Sequence, residues 1–111
     1  MENCIFCKIV AGDIPSPRLY EDEQMIVIRD IQPKAKLHYL CLPKEHFALL
    51  SEMDEKRAEI VKHIFQTIPT LEEKLGLQGG YRVVINQGAD GGQTVHHLHV
   101  HLLGGEPLGD F

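Results

Sequence analysis

HHLHVHLLGG, residues 96–105, sets four of the chain's seven histidines into six positions. Read as a strand, the stretch sends alternate side chains to opposite faces, so His97, His99 and His101 share one face while Leu98, Val100 and Leu102 share the other. The apolar set is then the buried side of a sheet. Three histidines in register, preceded by the glycine-rich loop NQGADGGQ at residues 86–93, point to chemistry on the opposite side. Backbone positions two apart in a strand are separated by about 6.5–7 Å, so an adjacent pair of imidazoles can converge on one ion, but the outer pair, about 13 Å apart, cannot. The histidines must therefore divide between roles.

Working outward, MIVIR (25–29), LHYLCLP (37–43) and YRVVIN (81–86) read as further strands, the first two as an antiparallel pair, and TVHHLHVHLL (94–103) as the histidine strand. SEMDEKRAEIVKHIFQTIPTLEEKLG (51–76) predicts the one long helix. Met53, Ile60, Val61, Ile64, Ile68, Leu71 and Leu75 recur at three- and four-residue steps, and Ser51 with Asp54 resembles a capping box at its start. Pro69, which lacks an amide hydrogen, should kink or split that helix, and Gly76 should end it. CIFCKIVAG (4–12) reads as a short helix closed by Gly12, followed by the extended connector DIPSP. The expected fold is α+β, a single domain over residues 1–111, with a five-stranded antiparallel sheet, one long helix and a short N-terminal helix.

Composition limits the partners. Eleven Lys and Arg against sixteen Asp and Glu give a net charge of −5, which supplies no broad positive field for a nucleic-acid backbone, though a pocket for one phosphate is compatible with it. No signal-peptide pattern or apolar run of spanning length occurs, so a cytoplasmic location without membrane contact is expected. The three cysteines, Cys4, Cys7 and Cys41, are an odd number that argues against a disulfide framework. Cys41, inside a strand, reads as a small buried apolar residue. Cys4 and Cys7 have the CxxC spacing of a zinc site, and with His46 after a strand and His97 they would make four ligands and a closed, structural centre. A redox CxxC is the alternative, but the strand that usually precedes one is absent.

CIFCKIVAGDIPS, VIRDIQPKAKLHYLCLPKEH and NQGADGGQTVHHLHVHLLGG together resemble the histidine triad family over essentially the full chain, and within it the branch of nucleoside phosphoramidases. The resemblance implies that His99 attacks the α-phosphate of a purine nucleoside 5'-phosphoramidate, forming a nucleotidyl-histidine that water hydrolyses. A backbone carbonyl would fix its tautomer, His101 would contact the phosphate, His38 would support His99, and Thr94 would lie near the phosphate bridge or leaving group. Asn86, Gln93 and the amides around Val95 would complete a polar cradle, with Gly91 and Gly92 making room for the ligand. Asp30 would accept from the ribose hydroxyls. Ile5, Phe6, Ile9, Ile28 and Ile31 would form the purine slot; without the resemblance each reads equally well as core, and His38 as a surface sheet histidine.

The resemblance also favours zinc on Cys4, Cys7, His46 and His97, bracing the fold rather than activating water, and a homodimer with sheets joined and YRVVIN as a covered edge. His96 is expected to face away from the triad as a packing or surface residue. The sequence contains no tryptophan, so the leaving-group preference of relatives with a tryptophan-containing tail does not transfer. Competing readings are dinucleoside polyphosphate hydrolysis, whose relatives usually carry glutamine where His101 stands, and a non-catalytic nucleotide-binding or interaction protein.

Overall fold

Strands Met25–Arg29 (β2) and Leu37–Pro43 (β3) pair antiparallel, Val27 opposite Cys41. Around them, in a computed structural model that describes residues 3–111, the sheet is completed by a two-residue strand Tyr20–Glu21 (β1), by Tyr81–Val84 (β4) and by Val100–Gly104 (β5). The order is β1-β2-β3-β5-β4, antiparallel throughout. With a helix Ile5–Ala11 (α1) at the start and a long helical segment after β3, the described residues form the α+β domain the sequence implies.

β2 and β3 are apolar in nearly every position because both faces of the sheet are covered there. One face carries Met25, Val27, Tyr39, Cys41, Val100 and Leu102, which pack against Ile60, Ile64, Ile68, Leu71 and Leu75 of the helical segment. The other face carries Ile26, Ile28, Leu40 and Leu42, which meet Phe6 and Ile9 of α1. Seven residues of helix cannot cover the whole second face. What α1 leaves open, over β3, β5 and β4, becomes a cleft.

The long helix is segmented. Glu55–Thr67 (α2) runs into a 3-10 turn at Ile68–Leu71 and a last turn at Glu72–Leu75 (α3), with Pro69 in the first turn of the 3-10 piece, as a missing amide hydrogen requires. Gly76 then takes φ 76°, a left-handed conformation in which its amide reaches back to α3 carbonyls. The expected capping by Ser51 is not found. Ser51 lies in a separate 3-10 turn at Leu50–Glu52, and Asp54 alone caps α2, accepting from the amide of Arg57 at 2.8 Å. On the far face, Asp22 fastens α2 to the β1–β2 turn by accepting from Tyr20 Oη at 2.8 Å and bonding His63 Nε2 at 2.6 Å. His63 is thereby structural.

Two strands are shorter than the sequence suggests. β4 stops at Val84, so Ile85 and Asn86 lie beyond the ladder. β5 begins only at Val100, so His97 and His99 precede the ladder rather than belonging to a strand 94–103. The register explains the second case. Cys41 faces Val100, and two steps on Leu98 would face Pro43, which has no amide hydrogen to give. The Pro43 carbonyl instead binds His97 Nε2 at 2.8 Å, and the Leu98 amide donates to Phe47 at 2.6 Å. Leu98, Val100 and Leu102 remain buried.

Candidate active site and metal centre

At the start of α1, Cys4 caps the helix: its sulfur accepts from the amide of Cys7 at 3.2 Å, which brings the two sulfurs together. His46, just past β3, and His97 complete a group whose donor atoms all lie within 4.8 Å of one another. Cys7 Sγ is 3.2 Å from His46 Nδ1 and 3.5 Å from His97 Nδ1; Cys4 Sγ is 3.4 Å from His97 Nδ1, and the two Nδ1 atoms are 3.2 Å apart. A tetrahedron with Zn–S of about 2.3 Å and Zn–N of about 2.0 Å has nitrogen–nitrogen and sulfur–nitrogen edges of about 3.3–3.6 Å, so the donors stand close to that spacing.

The protonation pattern fits as well. A carbonyl only accepts, so the contact with Pro43 puts the His97 proton on Nε2 and turns the Nδ1 lone pair toward the sulfurs. Burial, then the neighbouring Cys4 sulfur, push the Cys7 thiol up to about 11. Ionising both sulfurs therefore calls for a cation among them. These four residues form a closed zinc site of the structural type, with no ligand position left for a reacting water.

The second group is the cleft, a cavity of about 750 Å³ on the α1 face of the sheet. Sheet alternation brings His101 and Leu103 of β5, His38 and Leu40 of β3, and Val84 of β4 to its floor. His99, Thr94 and Val95 enter from the segment before β5, and Asn86 from beyond β4. Phe6, Ile9 and Ile28 are at once core and wall. Ile5 at 44% and Ile31 at 91% exposure are lip residues, which excludes the core reading for those two.

Hydrogen bonds fix each imidazole. His99 Nδ1 lies 2.7 Å from the carbonyl of His97, so Nδ1 carries the proton and Nε2 keeps its lone pair. The Lys34 amide donates to His38 Nδ1 at 3.0 Å, which forces the His38 proton onto Nε2; that proton is given to His101 Nδ1 at 2.8 Å. His101 must then carry its own proton on Nε2, the one fully buried side-chain polar atom without a partner among the described residues. The cleft therefore contains a free imidazole lone pair on His99 and an unpaired N–H donor on His101. Burial, then the fields of His99 and His38, hold His101 down to about 4, so it stays neutral at pH 7. Burial likewise lowers His38, against the opposing charge of Asp30.

Several expected roles change. His38 bonds His101, not His99, because β3–β5 register sets it one strand away from His101's ring while His99 has left the ladder. Gln93 does not line the cleft: its side chain accepts from the Gly88 amide and donates to the carbonyls of Ala48 and Val95, holding the loop closed. Gly91 serves the loop too, since a Cβ there would meet the Gln87 carbonyl oxygen at 2.3 Å; Gly92 lines the cleft. Asp30 is at the cleft, its Oδ1 accepting from the Gln32 amide at 2.8 Å and its Oδ2 3.4 Å from His38 Nε2. His96 is exposed, and Cys41 is fully buried, its thiol pushed up to about 12 by that burial. Leu40, Val84, Ile14 and Pro15 also line the cleft. Alternation beside His101 could have found the first two; nothing local marks the others.

One residue joins the two sites. His97 offers its ring to the metal group and its carbonyl to His99. Phe6, between the two cysteines, sets its ring edge-on to His99 at 5.0 Å and to His97 at 6.0 Å. The nucleophile-bearing segment is thus held by the metal centre on two sides.

Residues 3–109 match the family described as "Scavenger mRNA decapping enzyme C-term binding". The chain belongs to this family, the histidine triad proteins. Its fold is close to that of a HIT family hydrolase from Clostridium thermocellum, with a TM-score of 0.94 and 46% identity over 100% of this chain and 97% of the other. A Zn-bound histidine triad family protein from Mycobacterium smegmatis gives 0.78 at 36% identity, covering 92% and 74%. A "14 kDa zinc-binding protein" of Zea mays is 43% identical over 106 residues, 94% of this chain and 83% of that protein.

Proposed function

We propose that the chain is a hydrolase of purine nucleoside 5'-monophosphoramidates, acting through a covalent nucleotidyl group on His99. The observation that carries this reading is the pair of fixed tautomers: a lone pair on His99 Nε2 and a donor on His101 Nε2, both in one nucleotide-sized cleft. His99 Nε2 forms a bond to phosphorus while the P–N bond of the substrate breaks. The electron pair leaves with the amine nitrogen, which takes up a proton. Water then attacks phosphorus, the bond to His99 breaks, and the nucleoside monophosphate and the free amine are the products. His101 Nε2–H donates to a phosphoryl oxygen as negative charge gathers there, and Thr94 is placed to do the same. Asp30 accepts from ribose hydroxyls; Phe6, Ile9 and Ile28, with Ile5 and Ile31 at the lip, take the base; Asn86 and Val95 complete the wall. Gln93 acts on this cradle only through the loop.

Zinc, when bound, cross-links α1 to the histidine segment and supplies no step. The hydrolase name of the Clostridium relative and the zinc named in the Mycobacterium and Zea proteins support these assignments. The edge strand β4, with Val83 at 40% exposure, suits pairing with a second copy, which makes a homodimer the proposed assembly. No helix is long and apolar enough to cross a membrane, and three free thiols suit a reducing, cytoplasmic setting.

The test offers purified protein a fluorogenic adenosine 5'-phosphoramidate and a diadenosine polyphosphate. Turnover of the first alone supports the proposal, turnover of the second alone makes the chain a polyphosphate hydrolase, and turnover of neither by folded, zinc-loaded protein makes it a binding protein.

A further inference from the structure

Beside Thr94 the cleft meets a second hollow, of about 430 Å³, walled by Asn3, His46 and His96; Ile5, Thr94 and Val95 line both cavities and form the sill between them. Phosphoryl transfer to His99 leaves this hollow unused, and leaves His96 without a role. The nucleoside end of the cleft lies toward Asp30 and the isoleucines, on the far side of the phosphate-binding residues. The substituent that departs from phosphorus must point away from the nucleoside, and the sill at Thr94 opens in that direction.

We propose that this second hollow is the leaving-group subsite, and that it favours amines carrying a carboxylate next to the nitrogen, the amino-acid type. The inference rests on the phosphoramidase reading. Its chemical content comes from the walls. His97 and His99 each commit a ring nitrogen to a backbone carbonyl. His96 is exposed and makes no such bond among the described residues, so its ring N–H is available, as is the Asn3 amide. No Asp or Glu lines the hollow among the described residues, so nothing there rewards an ammonium group. A carboxylate held between two neutral donors gains charge-assisted hydrogen bonds, while the apolar part of the leaving group lies on Ile5 and Val95.

Binding to the His99→Asn protein, which cannot form the covalent bond, tests this apart from turnover. The probes are AMP, its N-ethyl phosphoramidate and its N-alanyl phosphoramidate, titrated calorimetrically into protein of verified zinc content. The expected result is tighter binding of the alanyl than of the ethyl adduct by about tenfold, the size of one hydrogen bond to a charged acceptor. That advantage should vanish with His96→Ala and shrink with Asn3→Ala. Equal binding of the two adducts, or a preference that survives both substitutions, overturns the subsite. If the wild-type chain hydrolyses no phosphoramidate yet the preference holds, the subsite stands and the phosphoramidase reading falls; turnover without the preference keeps the phosphoramidase reading and removes the subsite.

Discussion

Two clusters in this molecule look alike by composition and do opposite things. Cys4, Cys7, His46 and His97 form one; Asp30, His38 and His101 form the other, and in each the donor atoms gather within 4.8 Å. What separates them is where a backbone group fixes one proton. In the first, a carbonyl takes the Nε2 proton of His97 and leaves Nδ1 bare toward its neighbours, as a metal requires. In the second, an amide occupies His38 Nδ1, the proton is driven to Nε2, and the nitrogen that faces the other donors is a donor itself. Metal at the second group would need that proton removed or the Lys34 contact broken. The first cluster is a cross-link, the second a one-way chain of hydrogen bonds ending in the cleft.

The largest effect should fall on neither cluster but on the residue between them. His99→Asn should lower kcat on a phosphoramidate by on the order of 10⁴-fold or more, since loss of a nucleophile leaves only binding and electrostatic stabilisation. Steady-state assays with zinc content measured in parallel check this.

Breaking the cross-link should come next. Cys7→Ser should abolish stoichiometric zinc by elemental analysis and lower Tm by more than about 10 °C, as removal of a folding-linked metal does in a small domain. Activity should fall by about tenfold to a hundredfold, the range of a lost supporting interaction, because His97 and Phe6 no longer hold His99 from both sides. Unaltered zinc and Tm would remove the first half of the comparison.

Breaking the chain of hydrogen bonds is expected to be milder still. His38→Ala should leave zinc content unchanged, lower kcat about tenfold with little change in KM, and release His101 from its single tautomer, a change read from imidazole ¹⁵N shifts. A purely structural His38 would lower Tm without moving those shifts.

The smallest effect is in acid. The folded value of His101, about 4, lies below its ordinary 6.5, so the unfolded chain takes up that proton first. The contribution to stability is complete above about pH 6.5 and is lost as pH falls toward 4. Tm measured across that window should drop less steeply in His101→Gln than in the wild type, at equal zinc loading.

Much of this architecture is legible in the residues themselves. The i, i+2 spacing of His97, His99 and His101 announces a shared face, and the distance along it requires a division of roles that the two clusters bear out. The four zinc ligands and the split at Pro69 follow from local chemistry. Contacts set by register between distant segments are not legible in this way. Nothing in LHYLCLP says that Pro43 will end the ladder opposite Leu98 and hand its carbonyl to His97. Nothing in DIQPKAK marks the Lys34 amide, a group every non-proline residue has, as the one that sets the His38 tautomer. Gln93 misleads for the same reason: its polar side chain suits a ligand, and the Ala48 carbonyl that takes its hydrogen bond comes from 45 residues away.

The central claim is that His99 Nε2 bonds transiently to phosphorus. Turnover of an adenosine phosphoramidate quenched in base, where a phosphorus–imidazole bond survives, followed by peptide mass spectrometry, should find the adenylyl group on His99. An adduct on His97, His101 or another side chain during productive turnover would contradict the account.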